Sequence, residues 1–424
     1  MGSDLKYDLE DVPKLKELIA ISAQWLLIVA PILIIGGRVV AEMHYTEVVE
    51  KTAYIQKIFF ICGITLITQI LIGHRLPIVP GPAAVLIIGI YTTLESGLET
   101  IYTSIAICGI LLSFFALTGK IKSLQKLFTE NVVTALLLLI AFSLMPIIIE
   151  MLVSNENAVF NVFFAIVLVL SLFGAGKKLK SLQSTMILWV LLFGSLVYLS
   201  LFPNELFDLK IPELDFLGFF GKPSLGFSLR FDVLVIFLLC YLALAVNDIS
   251  SIYSTAKVVN AEDSEKRVRQ GVSITGFSNL ISGLFGVIGT VNYTLSPGVI
   301  YATRSSSRFA LIPAGFALIT IAFFPMVIFF FSVIPKAVVA SVFLFILCSQ
   351  IAVALSKAKI ESEESGLVVG FPVLVSVLIS FIPGEVFESV PYAVKAFLSN
   401  SFLVGILLVI LLEHVIFRKR DQKR

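Results

Sequence analysis

Apolar residues come in long blocks along this chain, each closed by a short polar connector. A helix needs about 20 apolar residues to cross a bilayer, with a range of about 17–25. Fourteen stretches approach that pattern: Leu18–Gly37, Ile58–Gly73, Leu76–Leu94, Thr100–Gly119, Asn131–Ile149, Ala158–Gly176, Ser181–Phe202, Phe231–Thr255, Gly271–Gly289, Thr290–Arg308, Phe309–Ile334, Ala337–Ala354, Gly366–Ile382 and Ala396–Leu412. A polar segment, Pro203–Arg230, separates the seventh from the eighth. It holds Glu205, Asp208, Glu213 and Asp215 among several Gly and Pro, which predicts an external loop.

The tenth stretch departs from helical periodicity. Val291, Tyr293 and Leu295 alternate with Asn292, Thr294 and Ser296, the pattern of a strand. Ser296-Pro297-Gly298 then reads as an N-cap, a proline at the first helical position and a small residue that allows close approach. Val299 to Arg304 continues as a short helix. The third stretch opens in the same way, with a Pro80-Gly81-Pro82 break before its helix. Extended backbone at membrane depth is tolerated only where it is buried in protein or lines a cavity. Matched interruptions in two halves of a chain mark a midplane binding site. The two breaks lie seven spans apart, and an odd number of spans per half inverts one half relative to the other. The expected organisation is an all-α polytopic membrane protein with short β-strands before half-helices in spans three and ten. Residues 1–202 form the first inverted repeat, 203–230 the external loop, 231–417 the second repeat and 418–424 a basic tail.

Composition sharpens this. Of 424 residues 58% are apolar and 14% charged, against about 25% charged in soluble domains. The net charge of +2 comes from basic loops and points to no nucleic acid. Lys and Arg cluster after the even-numbered spans, as at Lys120, Lys178, Arg267 and Lys357, and again in the tail. The positive-inside rule then places both termini in the cytoplasm, with the chain in the cytoplasmic membrane and the lipid bilayer as its surroundings. Cys62, Cys108, Cys240 and Cys348 all lie in apolar runs and read as small buried hydrophobes rather than disulfides or metal ligands. His44, His74 and His414 show no metal-ligand spacing. No cofactor is expected, and the spans hold no Ser/His/Asp set that would suggest an enzyme. Leu5 to Glu17 is charged and does not read as a cleaved signal.

Several ordered segments carry a resemblance to a known family. These are Tyr7-Asp-Leu-Glu-Asp-Val-Pro13 before the first span, Thr68-Gln69 with Gly73-His-Arg-Leu-Pro-Ile-Val-Pro-Gly81, Val246-Asn-Asp-Ile-Ser-Ser-Ile-Tyr-Ser-Thr-Ala-Lys-Val258, and Asn279-Leu-Ile-Ser-Gly-Leu-Phe-Gly286. Together with Gly298, Thr303 and Arg304 at signature spacing in span ten, they resemble the nucleobase–ascorbate transporters, which include uracil and xanthine permeases. The resemblance implies a core domain moving against a gate domain, a nucleobase substrate, H⁺ or Na⁺ coupling and a homodimer through the gate. It departs from the family where the substrate is held. The acidic or amide residue and the Asn of the span-ten signature fall on Leu295 and Ser296. The span-eight glutamate falls on Asn247, and the Gln-His pair of span one on Gln24-Trp25.

The substrate-binding candidates are therefore Gln24, Trp25, Gly81, Pro82, Ala83, Asn247, Leu295, Ser296, Pro297 and Gly298. The Asn247 amide offers donors and an acceptor, suited to a base edge or to an interhelical hydrogen bond. Trp25 suits stacking on a flat ring or plain packing, and Ser296 is explained by capping alone. Asp248 is the ion-coupling candidate, because an intramembrane carboxylate usually marks an ion or substrate path; the alternative is an early end to span eight at the cytoplasmic interface. Ser251, Thr303 and Arg304 are gating or structural candidates. N–H groups and partial positive charge at two half-helix N-termini suit the carbonyls of a purine or pyrimidine. They also suit a small anion, so an anion transporter of the sulfate-permease kind is the second expectation.

Overall fold

The computed structural model describes residues 5–119, 127, 129–154, 156–178, 185–203, 213, 216–217, 219, 226–293, 296–358, 360, 362–383, 386 and 400–417. Helices dominate. Among the described residues eight are long and apolar enough to cross a membrane. A ninth is counted if Arg308–Ala322 and Pro325–Phe331, bent by 92° at their junction, make one span.

In chain order the first elements are α1 (Leu15–His44), α2 (Val48–Leu71), β1 (Pro80–Pro82), α3 (Ala84–Thr92) and α4 (Leu98–Leu117). Next come α5 (Glu130–Ser143), α6 (Met145–Val153), α7 (Ala158–Lys178) and α8 (Met186–Leu201). The second half begins with α9 (Phe231–Val258), α10 (Ser264–Leu284), β2 (Thr290–Asn292) and α11 (Ser296–Thr303). It ends with α12 (Ile312–Ala322), α13 (Pro325–Ser332), α14 (Lys336–Lys357), α15 (Glu363–Ser380) and α16 (Ser401–Leu411).

Proline chemistry breaks the helices of two expected spans. Span eleven is not one continuous helix. Pro325 starts α13, and Phe324 before it sits at φ −112°, ψ 79°, because a residue preceding proline is pushed out of the helical region. The fifth expected span is found as one apolar run, Glu130–Val153, within which Pro146 lies in the first turn of α6. Of the alternation predicted from Val291 to Ser296, the described part forms the strand Thr290–Asn292, and residues 294 and 295 lie outside the described residues. The external loop at 203–230 lies largely outside the described residues, as does the basic tail at 418–424.

β1 and β2 pair antiparallel, with Pro80 opposite Asn292, Gly81 opposite Val291 and Pro82 opposite Thr290. The pairing extends by one bond at each end: the Ala83 N–H donates to Gly289 O at 3.0 Å and the Tyr293 N–H to Val79 O at 3.0 Å. The two prolines of β1 lack an N–H, which a two-stranded ribbon tolerates on its unpaired side. All six strand residues are buried. Each strand precedes a short helix, α3 of nine residues and α11 of eight. Helices that short cannot cross a bilayer alone at 1.5 Å per residue.

The surrounding helices pack closely through small residues. A Cβ on Gly276 of α10 would lie 2.5 Å from Ser113 N and 2.7 Å from Gly109 O of α4. Backbones meet there directly, the usual device for helix association where lipid removes the hydrophobic drive.

Candidate functional site

A cavity of about 420 Å³ opens where the two strand–helix breaks meet. One wall is Ile32, Ile35 and Gly36 of α1, Pro82 and Ala83, the first turn of α3, the Asn247 face of α9, Val291 and Tyr293. The rest of the lining comes from α5, α14 and Ile187 of α8, with Leu136, Phe343, Ile346, Ser349 and Gln350 among its members.

Local structure explains each polar group. Asn247 and Ser250 are three residues apart on α9 and so share a face. Tyr293 follows Val291 by two, which puts both on one side of the extended segment. Its hydroxyl donates to Pro82 O at 2.9 Å and ties the two breaks together. Gln350 Nε2 donates to Leu137 O at 3.1 Å, which leaves its carbonyl oxygen as an acceptor. Ala84 and Val85, in the first turn of α3, bring early helix N–H groups and the positive dipole end to the cavity. No charged side chain lines it among the described residues.

The sequence candidates divide. Pro82, Ala83 and Asn247 line the cavity. Gln24 is exposed and Trp25 buried, and neither lines it; α1 reaches the cavity two to three turns later, at Ile32, Ile35 and Gly36. Gly81 is covered by a side chain of the protein, since a Cβ there would lie 2.5 Å from the Tyr293 ring. Ser296 is buried and its hydroxyl donates back to Tyr293 O at 3.3 Å, so it does not cap the helix by accepting. Pro297 and Gly298 belong to the first turn of α11. Leu295 lies outside the described residues. Ser251 Oγ donates to Asn247 O at 2.9 Å and Thr303 Oγ1 to Val299 O at 2.9 Å, both within their own helices.

Arg304 ends α11 with a positive φ of 51°, and its carbonyl accepts from Lys6 N at 2.8 Å. Residues 5–11 form a strap along this end: Ser306 N donates to Tyr7 O at 3.0 Å, Arg308 N to Leu9 O at 3.1 Å, and Arg308 pairs with Glu10 at 2.7 Å. Asp248 is fully buried on the side of α9 away from the cavity. The helix continues ten residues past it, to Val258.

Tyr293, Ser349 and Gln350 are site-lining residues that the sequence reading missed. Tyr293 was legible, because it falls on the same strand face as Val291. Ser349 and Gln350 are a polar pair inside an apolar span, a signal of the same kind as Asp248.

Paired strand breaks beside an apolar cavity among membrane-length helices are an arrangement that membrane transport proteins use. A family model described as Permease family, that of the xanthine/uracil permeases, matches residues 16–385. The chain belongs to that family. A xanthine permease of Bacillus subtilis is 24% identical over 386 residues, covering 84% of each chain. The uric acid permease PucJ of the same organism is 22% identical over 404 residues, covering 88% of this chain and 87% of the relative. Among solved structures, the transmembrane domain of the cyanobacterial bicarbonate transporter BicA superposes with a TM-score of 0.64 at 15% identity, over 88% of this chain and 97% of that one. At that identity the likeness speaks for the fold.

Proposed function

We propose that the chain is a secondary active transporter of nucleobases of the uracil or xanthine type, with the base held in the cavity between β1–α3 and β2–α11. The observation that carries this is the cavity lining. Asn247, Ser250, Tyr293, Ser349 and Gln350, residues with amide or hydroxyl groups, line one space with no charged side chain among the described residues. Such a set suits a neutral, flat heterocycle with carbonyl and N–H edges. The family assignment supports the same class. In this reading the chain forms fourteen spans as two inverted repeats, 1–202 and 231–417, with both termini cytoplasmic. α1, α3, α9 and α11 belong to the core and α5 and α14 to the gate. An H⁺ or Na⁺ gradient drives accumulation with Asp248 as the coupling group, and the gate domains form a homodimer.

A small anion fits this lining less well, since no Lys, Arg or His is among the described lining residues to balance it. The test is uptake of radiolabelled xanthine, uracil and sulfate by purified protein in proteoliposomes. Saturable xanthine or uracil uptake that the other base competes is the expected result. Sulfate uptake without nucleobase uptake would overturn the reading in favour of an anion transporter.

A further inference from the structure

Behind β2, on the side away from the cavity, lies a second polar site. Asn292 sits between Val291 and Tyr293, so strand alternation turns it away from them. Asp248 follows Asn247 on α9 and points about 100° from it. The two residues meet: Asp248 Oδ1 accepts from Asn292 N at 2.9 Å. Around them, Asn292 Nδ2 donates to Thr275 Oγ1 at 3.3 Å, and Gln69 Nε2 donates to the same oxygen at 3.1 Å. Gln69 Oε1 accepts from His74 N at 3.3 Å. Asp248, Asn292, Gln69 and His74 are wholly buried, and Thr275 is 1% exposed.

Hydrogen-bond roles fix the chemistry. His74 Nδ1 accepts from Leu76 N at 3.0 Å, so the ring is neutral and carries its proton on Nε2. The Thr275 oxygen already accepts twice, and its hydroxyl lies beside the Asp248 carboxyl. The Asn292 amide lies between the carboxyl and the His74 ring. Asp248 Oδ2, Asn292 Oδ1 and His74 Nε2 make no hydrogen bond of sound geometry among the described residues. Charged groups on the packed elements are few. Arg267 of α10 gives its guanidinium to the backbone carbonyls of His74 and Arg75, at 3.0 and 2.9 Å, and not to the carboxyl. Tyr293 spends its hydroxyl on Pro82 O. A buried carboxylate with no cation beside it is strongly disfavoured and takes up a proton instead.

We infer that Asp248, Asn292 and His74 form a proton-binding site separate from the substrate cavity, with β2 as the wall between them. The proton is held on Asp248 Oδ2, beside the Asn292 amide, whose Oδ1 faces the His74 ring. Loading the site fixes Asn292, and with it the register of Val291 and Tyr293 on the cavity side. Proton and substrate are then coupled through one strand, without a carboxylate touching the base. Binding of the proton stands by itself; its role in driving transport rests on the proposed function.

The proton is read directly by infrared difference spectroscopy of the full chain in lipid nanodiscs, without substrate, across a pH series in H₂O and D₂O. A protonated-carboxyl C=O band that shifts in D₂O and vanishes at high pH is expected. Asp248→Asn should remove the band, and His74→Gln should retain it. Thr275→Val, which deletes the facing hydroxyl, should shift its frequency, and that keeps the test open if Asp248→Asn does not fold. No band in the wild type at any pH, or a band unchanged in both Asp248→Asn and Thr275→Val, overturns the site. In proteoliposomes an inward proton gradient should drive xanthine accumulation by the wild type and not by Asp248→Asn. Accumulation driven by sodium alone overturns the proton assignment. If no nucleobase is bound or moved, the proposed function fails while the infrared result still decides the site.

Discussion

Gly81 leaves space beside the site, but a side chain of the same protein fills it. A Cβ would meet the Tyr293 ring at 2.5 Å, and overpacking of that kind costs about 1–3 kcal/mol. Gly81→Ala should lower the melting temperature and push the ring toward the cavity. The double variant with Tyr293→Leu should recover most of the stability, and a melt of all three proteins checks it. Asn247 is the other residue whose loss should be felt. Asn247→Ala should weaken base binding about three- to tenfold, as expected for one hydrogen bond of about 0.5–1.5 kcal/mol. Equilibrium binding of labelled xanthine measures it, and unchanged affinity would remove Asn247 from the site.

At the scale of elements, the half-helix α11 is held at both ends. β2 anchors its start through the pairing with β1, and the strap at residues 5–11 anchors its finish. The Glu10–Arg308 pair in that strap has its carboxylate largely exposed, and exposed pairs contribute roughly 0–1 kcal/mol. Glu10→Ala should therefore change stability little. The backbone bonds matter more: deleting residues 2–11 should expose the amides of Ser306 and Arg308, which donate to Tyr7 and Leu9. Hydrogen exchange reads this as faster exchange confined to that segment. The helix pair α4–α10 behaves differently, because its glycines place backbone against backbone. Gly276→Leu should abolish folding rather than tune it, which appears as loss of monodisperse protein in detergent.

For the whole molecule, orientation is the quantity that charge predicts and geometry leaves open. If the basic connectors face the cytoplasm, a cysteine replacing Lys14 should react with a membrane-impermeant maleimide only from the inner face. Labelling from outside intact cells would invert the arrangement. The four native cysteines give little background, since three are buried and Cys348 is only partly exposed.

Much of this architecture was legible in the chain. Apolar block length, the Pro-Gly breaks at Pro80-Gly81-Pro82 and Ser296-Pro297-Gly298, and the alternation around Val291 are local signals. Local chemistry alone makes these segments helical, broken or extended. The sequence by itself therefore determined a polytopic helical membrane protein with two interrupted spans, and it marked Asn247, Pro82 and Ala83 as neighbours of a site. Tertiary structure decided the rest. It paired the two breaks antiparallel across 209 residues of chain, with Gly81 facing Val291, and it set the cavity against Ile32 to Gly36 of α1 rather than Gln24 and Trp25. It brought Gln350 and Asn247 to one cavity and turned Asp248 toward Asn292 and away from that cavity. Periodicity tells which residues share a face of one element. Which faces meet depends on contacts between segments far apart in the chain, and no local pattern encodes those.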